Sequence, residues 1–295
     1  MKYPNKELSA LPAAPLVFVE TLPDEPLVVI EPRTSWLAVD FAELRQYREL
    51  LYFLTWRDVK VHYRQAALGV MWAVLQPLLL MAIFTIFYSR LAHVETGGVP
   101  YPLFAYAGVV LWTFFANAIT SSGNSLVNNV NLITKVYFPR MLVPAAAVMA
   151  SLLHFAIASV VLIGMMLYYR VAPTPRLLLL PPLVLVTVLF ATAVGLWTAA
   201  LNVKYRDVRL LLPFGVQVWL LASSVIVPSS AVPRQWRWVP LLNPMSAYIE
   251  GFRAGLFGGP FDGPALIIAT TITATTLLAG VAVFRTMERS FADVI

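Results

Sequence analysis

The chain has 295 residues, of which 59% are hydrophobic and 12% charged, with a formal net charge of +6 and no cysteine. An average soluble domain carries about 25% charged residues, so together with a mean hydropathy of +0.75 this composition excludes a soluble fold and predicts an all-α integral membrane protein. The basic residues are spread through loops between apolar runs instead of forming one patch, which argues against nucleic acid, and the lack of cysteine removes disulfides, thiolate metal ligands and a cysteine nucleophile.

Residues 1–40 read as a cytoplasmic N-terminal segment. Two short β-like runs, 16–20 and 27–31, flank the turn-forming Leu22-Pro23-Asp24-Glu25-Pro26, and no continuous apolar region follows a basic start, so no cleavable signal peptide is expected. Residues 41–66 follow as an amphipathic interface helix. Leu44, Tyr47, Leu51 and Leu54 form an apolar stripe at helical spacing, bordered by Arg57, Lys60 and Arg64. That pairing of stripes is expected of a helix lying in the headgroup layer.

Residues 67–295 read as a six-span membrane domain. Gly69 to Ser89 offers about 21 residues without a charge, enough to cross a hydrocarbon core of roughly 30 Å. A polar link from Arg90 to Pro100 leads to a second span, Tyr101 to Thr120, and then to a loop over 121–140 that is polar first and basic last. Met141 to Tyr168 is a third span, with a tilt or kink expected from its length and from Pro144; Leu177 to Ala200 is the fourth, and Leu210 to Pro228 the fifth. Residues 229–262 are broken by Pro233, Pro240 and Pro244 and charged at Arg237, Glu250 and Arg253, so two short re-entrant outer helices are expected, with Trp236 and Trp238 at headgroup depth; an ordinary extracellular loop is the alternative. Pro264 to Phe284 is the sixth span. Lys and Arg concentrate in the segments that six crossings put on the same side as both ends, notably Lys135, Arg140, Lys204, Arg206 and Arg209, so both termini are expected to be cytoplasmic.

The acidic residues narrow the function. Between Gln65 and Arg285 the carboxylates are Glu95, Asp207, Glu250 and Asp262, each in a segment read as a loop. Ion-coupled carriers usually bury an ionisable group near the midplane, and none of the six spans has an acidic one. No Walker A sequence, paired carboxylates or catalytic histidine cluster is present, and His62, His93 and His154 lack metal-ligand spacing, so no metal is expected and any energy for uphill transport comes from another chain. The loops containing Lys135-Val136-Tyr137-Phe138-Pro139-Arg140 and Lys204-Tyr205-Arg206-Asp207 are candidates to dock such a partner, although positive-inside placement alone also accounts for their charge.

A family resemblance covers about Ile30 to Phe257. It is carried by Tyr47-Arg48-Glu49-Leu50-Leu51, Trp56-Arg57-Asp58-Val59-Lys60, the run from Leu68 to Pro77, Tyr137-Phe138-Pro139-Arg140, Tyr205-Arg206-Asp207-Val208 and Asn243-Pro244-Met245. In this order the chain resembles the type-2 ABC exporter permeases that move O-antigen, capsule or teichoic-acid polymers. The resemblance implies a non-enzymatic transport subunit in a bacterial cytoplasmic membrane. It also implies a second copy of the chain, two copies of a separate ATPase carrying ATP and Mg, and a polymer channel between protomers. It makes Lys135, Tyr137, Phe138, Arg140, Lys204, Tyr205, Arg206 and Asp207 ATPase-coupling residues, and Asn243, Pro244, Glu250 and Arg253 parts of an outer gate.

A lipid-linked glycan presents a pyrophosphate, which Arg57, Lys60 and Arg64, with Gly69 close by, are placed to attract; anionic membrane lipid would use the same electrostatics. Aromatic faces suit a sliding sugar chain, which makes Trp72, Phe84, Phe87, Tyr88, Trp112 and Phe115 candidate channel-lining residues, with core packing or lipid contact as the plainer role. A permease for a drug or small lipid, and a membrane-embedded glycan-processing enzyme, are the competing functions.

Overall fold

A computed structural model describes residues 46–64, 71–89, 98–136, 138–172, 174–288 and 291, all in the second of the two units into which the chain divides, Trp36–Ile295. The described residues are mostly helical, with no strand among them. In chain order they form α1 (Arg48–Arg64), α2 (Met71–Phe84) continuing as a π-turn over Thr85–Ser89, α3 (Tyr101–Asn128), α4 (Val130–Lys135), α5 (Leu142–Tyr168), α6 (Leu180–Lys204) led in by a 3₁₀ turn over Pro175–Leu179, α7 (Val208–Leu221), α8 (Trp238–Leu242), α9 (Pro244–Phe257) and α10 (Gly263–Glu288). Five stretches, containing α2, α3, α5, α6 and α10, are long and apolar enough to cross a membrane. The β-like runs at 16–20 and 27–31, Leu44, Gly69, His93, Glu95 and Tyr137 lie outside the described residues, as do the side chains of His62 and Arg64.

The middle of the bundle is α3. It packs between α5 and α6 and also touches α2, α7 and α9, while α10 lies along α6 and α1 crosses α5. Its side chains from Leu103 to Phe115 are almost all buried, which is the expected state for a helix that is apolar all round. A second cluster, at the end of the bundle where α1 lies, gathers Leu54, Leu126, Ile133, Phe138, Leu142, Leu196, Val203 and Phe284.

Three local expectations change. Residues 121–128, expected as loop, continue α3 for two more turns. Their polar side chains bond back one turn: Asn124 Nδ2 donates to Thr120 O at 2.9 Å and Ser125 Oγ to Ser122 O at 2.6 Å. Their small size also lets α6 approach. Asn202 Nδ2 donates to Gly123 O at 2.8 Å, and a β-carbon at Gly195 would overlap Ser122. Pro144, expected to interrupt a span, sits in the first turn of α5, where its missing N–H leaves no helical bond unmade.

The fifth apolar stretch, expected as a crossing from Leu210 to Pro228, is helical only to Leu221. At 14 residues α7 is about 21 Å long, short of a straight crossing. It stops because Ser224 and Val225 are held by side chains from α9: Ser224 N donates to Ser246 Oγ at 3.2 Å, and both carbonyls accept from Arg253.

Candidate functional site

Residues 219–257 build one corner of the bundle. Asn243 caps α9, its Oδ1 accepting from Met245 N at 3.1 Å and from Trp219 Nε1 at 3.0 Å. Its Nδ2 donates to Ala222 O at 3.1 Å and Ser223 Oγ at 2.8 Å. One amide thus joins the start of α9 to the end of α7, with Pro244 at the first helical position. Two further carbonyls at that break, together with one on α3, are satisfied by Arg253. Its guanidinium donates to Ser224 O, to Val225 O at 2.6 Å and to Phe104 O at 3.0 Å, and lies 3.6 Å from the centre of the Phe104 ring. The side chain is only 5% exposed. Gly108 makes room for it, because a β-carbon there would overlap the guanidinium.

Glu250, three residues before Arg253 and a natural i,i+3 partner for it, bonds elsewhere. Its carboxylate accepts from Ser229 N at 2.6 Å and Ser229 Oγ at 2.8 Å, tying α9 to the loop after α7. Asn243, Pro244, Glu250 and Arg253 are therefore brought into one hydrogen-bonded corner. Trp236 and Trp238 stand beside it, both more than half exposed, with ring centres 6.4 Å apart.

At the opposite end lie the basic loops. Lys135, Lys204, Tyr205, Arg206 and Asp207 are exposed, and the Lys204 ammonium sits 5.4 Å from the Tyr205 ring centre. Phe138 is buried in the second core cluster, and Arg140 donates from its guanidinium to Glu288 O at 2.8 Å. Phe138 and Arg140 thereby anchor one loop to α10 and the bundle, leaving Lys135 outermost.

Arg57 forms an ion pair with Asp58 at 2.8 Å, and Lys60 extends over Trp56 with its ammonium 5.4 Å from the ring centre. Among the candidate aromatics, Trp72 and Phe87 are about half exposed, whereas Phe84, Trp112 and Phe115 are buried. Phe115 stacks on Phe190 at 5.3 Å and meets Trp219 edge-on at 5.1 Å, so its faces are taken by α6 and α7 of the same chain; Tyr88 is partly buried and meets Phe84 edge-on.

Sequence reasoning missed a cleft of about 450 Å³ bounded by α1, α2, α3 and α5. Its wall on α3 includes Thr113, Asn117, Ser121, Ser125 and Asn128, a polar line at helical spacing. That line was legible as a period, but it runs across the point where the second span was expected to end. Trp219 and Asn202 were missed for want of any local signal. Among the described residues no group of acidic or histidine side chains is arranged to hold a metal.

The comparisons with known proteins agree with this architecture. The family model described as ABC-2 type transporter matches residues 49–257, which takes in α1, the central helices and the Asn243–Arg253 corner. The chain is 28% identical over 254 residues to the O-antigen export system permease protein RfbA of Myxococcus xanthus, covering 85% of this chain and 97% of that protein. It is 25% identical over 248 residues to a Klebsiella pneumoniae protein of the same description, covering 84% and 95%, and 20% identical to the polysialic acid transport protein KpsM of Escherichia coli, covering 79% and 92%. With most of its helical bundle inside the family match, the chain belongs to the ABC-2 type transporter family.

Proposed function

We propose that this chain is the membrane-spanning permease of an ATP-driven exporter that moves a lipid-linked polysaccharide across a bacterial cytoplasmic membrane, working as a homodimer with two copies of a separate ATPase. The observation that carries this reading is the near full-length likeness to permeases named for O-antigen and polysialic acid export. The energy source is external. The five apolar stretches contain no carboxylate before Glu288 at the end of α10, which fits a transporter that does not couple to an ion gradient.

In this reading α1 lies in the cytoplasmic headgroup layer, both termini are cytoplasmic, and α7 with the following turn makes the fifth of six passages. The α8–α9 corner is a re-entrant outer gate, in which Arg253 and Asn243 satisfy backbone groups that a broken helix leaves exposed. Exposed Lys135, Lys204, Tyr205, Arg206 and Asp207 meet the ATPase, with Tyr137, Phe138 and Arg140 in the same coupling loop. Lys60 and Arg64, with Gly69 further along the sequence, attract the pyrophosphate of the substrate, while Arg57 is held by Asp58. Exposed Trp72 and Phe87 are favoured to line the channel over the enclosed Trp112 and Phe115, with Phe84 and Tyr88 behind them.

Deleting the chain in its own host tests the function. The expected result is loss of surface glycan with lipid-linked glycan accumulating inside, restored by the intact gene. Unchanged surface glycan with loss of a drug or small lipid from the export profile would overturn it.

A further inference from the structure

The cleft between α1, α2, α3 and α5 has a chemistry of its own. Its about 450 Å³ falls within the roughly 300–1,000 Å³ of small-molecule sites. Its charged walls cancel, because Arg57 and Asp58 are paired with each other. What remains are amides, hydroxyls and the imidazole of His154, with Trp72, Phe114 and Phe155 supplying apolar faces.

Those polar groups have unused capacity. Gln76, Asn117, Ser121 and Asn128 make no side-chain hydrogen bond among the described residues. Thr113 is the sharper case. Several hydroxyls on these helices donate to the carbonyl one turn back, as Thr120 does to Ala116 O at 2.7 Å and Ser151 to Ala147 O at 3.0 Å, whereas of the buried ones without a partner only Thr113 lines the cleft. The Thr113 hydroxyl is buried and has no partner, although such a group normally finds one.

A phosphate would meet no unpaired lysine or arginine inside this cleft, and an acyl chain would strand its amides. An uncharged group rich in hydroxyls satisfies both demands, donating to and accepting from amides while laying its C–H face on an aromatic ring. We infer that the cleft binds the sugar units nearest the lipid anchor of the transported glycan, with Asn117, Gln76, Ser121 and Thr113 taking the place of water on the sugar hydroxyls. The assignment rests on the polysaccharide-export reading and adds a sugar site beside the basic face of α1.

The cysteine-free sequence makes the test direct. Asn117→Cys and Ser121→Cys each introduce the one thiol of this chain into the assembled transporter, and N-ethylmaleimide labelling of this chain reports access in native membrane vesicles. Ser121 is exposed and tolerates the change even if Asn117 does not. Vesicles come from cells that make the glycan and from cells in which the first sugar transfer is blocked. The expected result is labelling at both positions without glycan and a rate lowered by about tenfold or more with it, equivalent to at least nine-tenths occupancy. Val160→Cys, on an exposed apolar face of α5, is expected to label equally in both.

Equal labelling with and without glycan, or protection extending to Val160→Cys, overturns the site. Protection that persists without glycan and is lifted by removing phospholipid assigns the cleft to a lipid headgroup and also overturns it. A deletion strain with unchanged surface glycan defeats the export reading and the site with it; lost surface glycan with glycan-independent labelling defeats the site alone.

Discussion

Arg253 carries a positive charge into an apolar corner and satisfies three backbone carbonyls on two other segments, so its contribution is a matter of unsatisfied groups more than of charge pairing. Arg253→Met strands Ser224 O and Val225 O, while Phe104 O keeps its helical bond, and is expected to destabilise the chain by about 3 kcal/mol, read as a lowered unfolding temperature of the purified protein in detergent. Arg253→Lys is expected to recover only part of this, since an ammonium cannot reproduce the planar fork. Equal stability of the Met variant would show that water or lipid serves the carbonyls as well. Asn243→Ala removes a cap and three hydrogen bonds to the end of α7 and the turn after it, and is expected to cost about 1–2 kcal/mol in the same measurement. The sequence placed both residues in the proline-broken segment 229–262, where the spacing of three suggested Glu250 as the neighbour of Arg253. The actual partners lie on segments far along the chain, and nothing in local spacing encodes them.

At the scale of elements, α3 and α6 come close because Gly195 and Gly123 sit where they meet. Gly195→Val is expected to force the helices apart and to cost about 1–3 kcal/mol, the usual range for overpacking, with a lower yield of folded protein. Gly164→Ala, where a β-carbon meets nothing within 4 Å, is expected to leave stability unchanged or raise it by up to about 1 kcal/mol. If both behave alike, close approach is not what these glycines provide. The run Ser121 to Asn129 reads as a loop because serine, glycine and asparagine favour turns. It is helical because the side chains of Asn124, Ser125 and Asn129 bond one turn back and α6 covers part of the result, a tertiary override of propensity.

At the scale of the whole molecule, α7 presents Leu210, Leu211, Phe214, Val218 and Leu221, each more than half exposed. If a second copy covers this face, Phe214→Cys is expected to form a disulfide-linked dimer on mild oxidation while Val160→Cys stays monomeric. Two equally monomeric variants would assign the face to lipid. Reversing charge at the exposed basic loop with Lys204→Glu and Arg206→Glu is expected to weaken ATPase co-purification by about tenfold, roughly 1.4 kcal/mol, with the chain still inserted. The amino-acid sequence by itself determined that this is a membrane protein whose described residues fold as helices, because about twenty apolar residues in a row have one physical use. Only the tertiary structure decided where α7 stops, what Arg253 bonds, and that Thr113, Asn117 and Ser121 share a cleft. Each of those depends on groups brought together from distant helices, where the cost of an unsatisfied buried polar atom selects the partner.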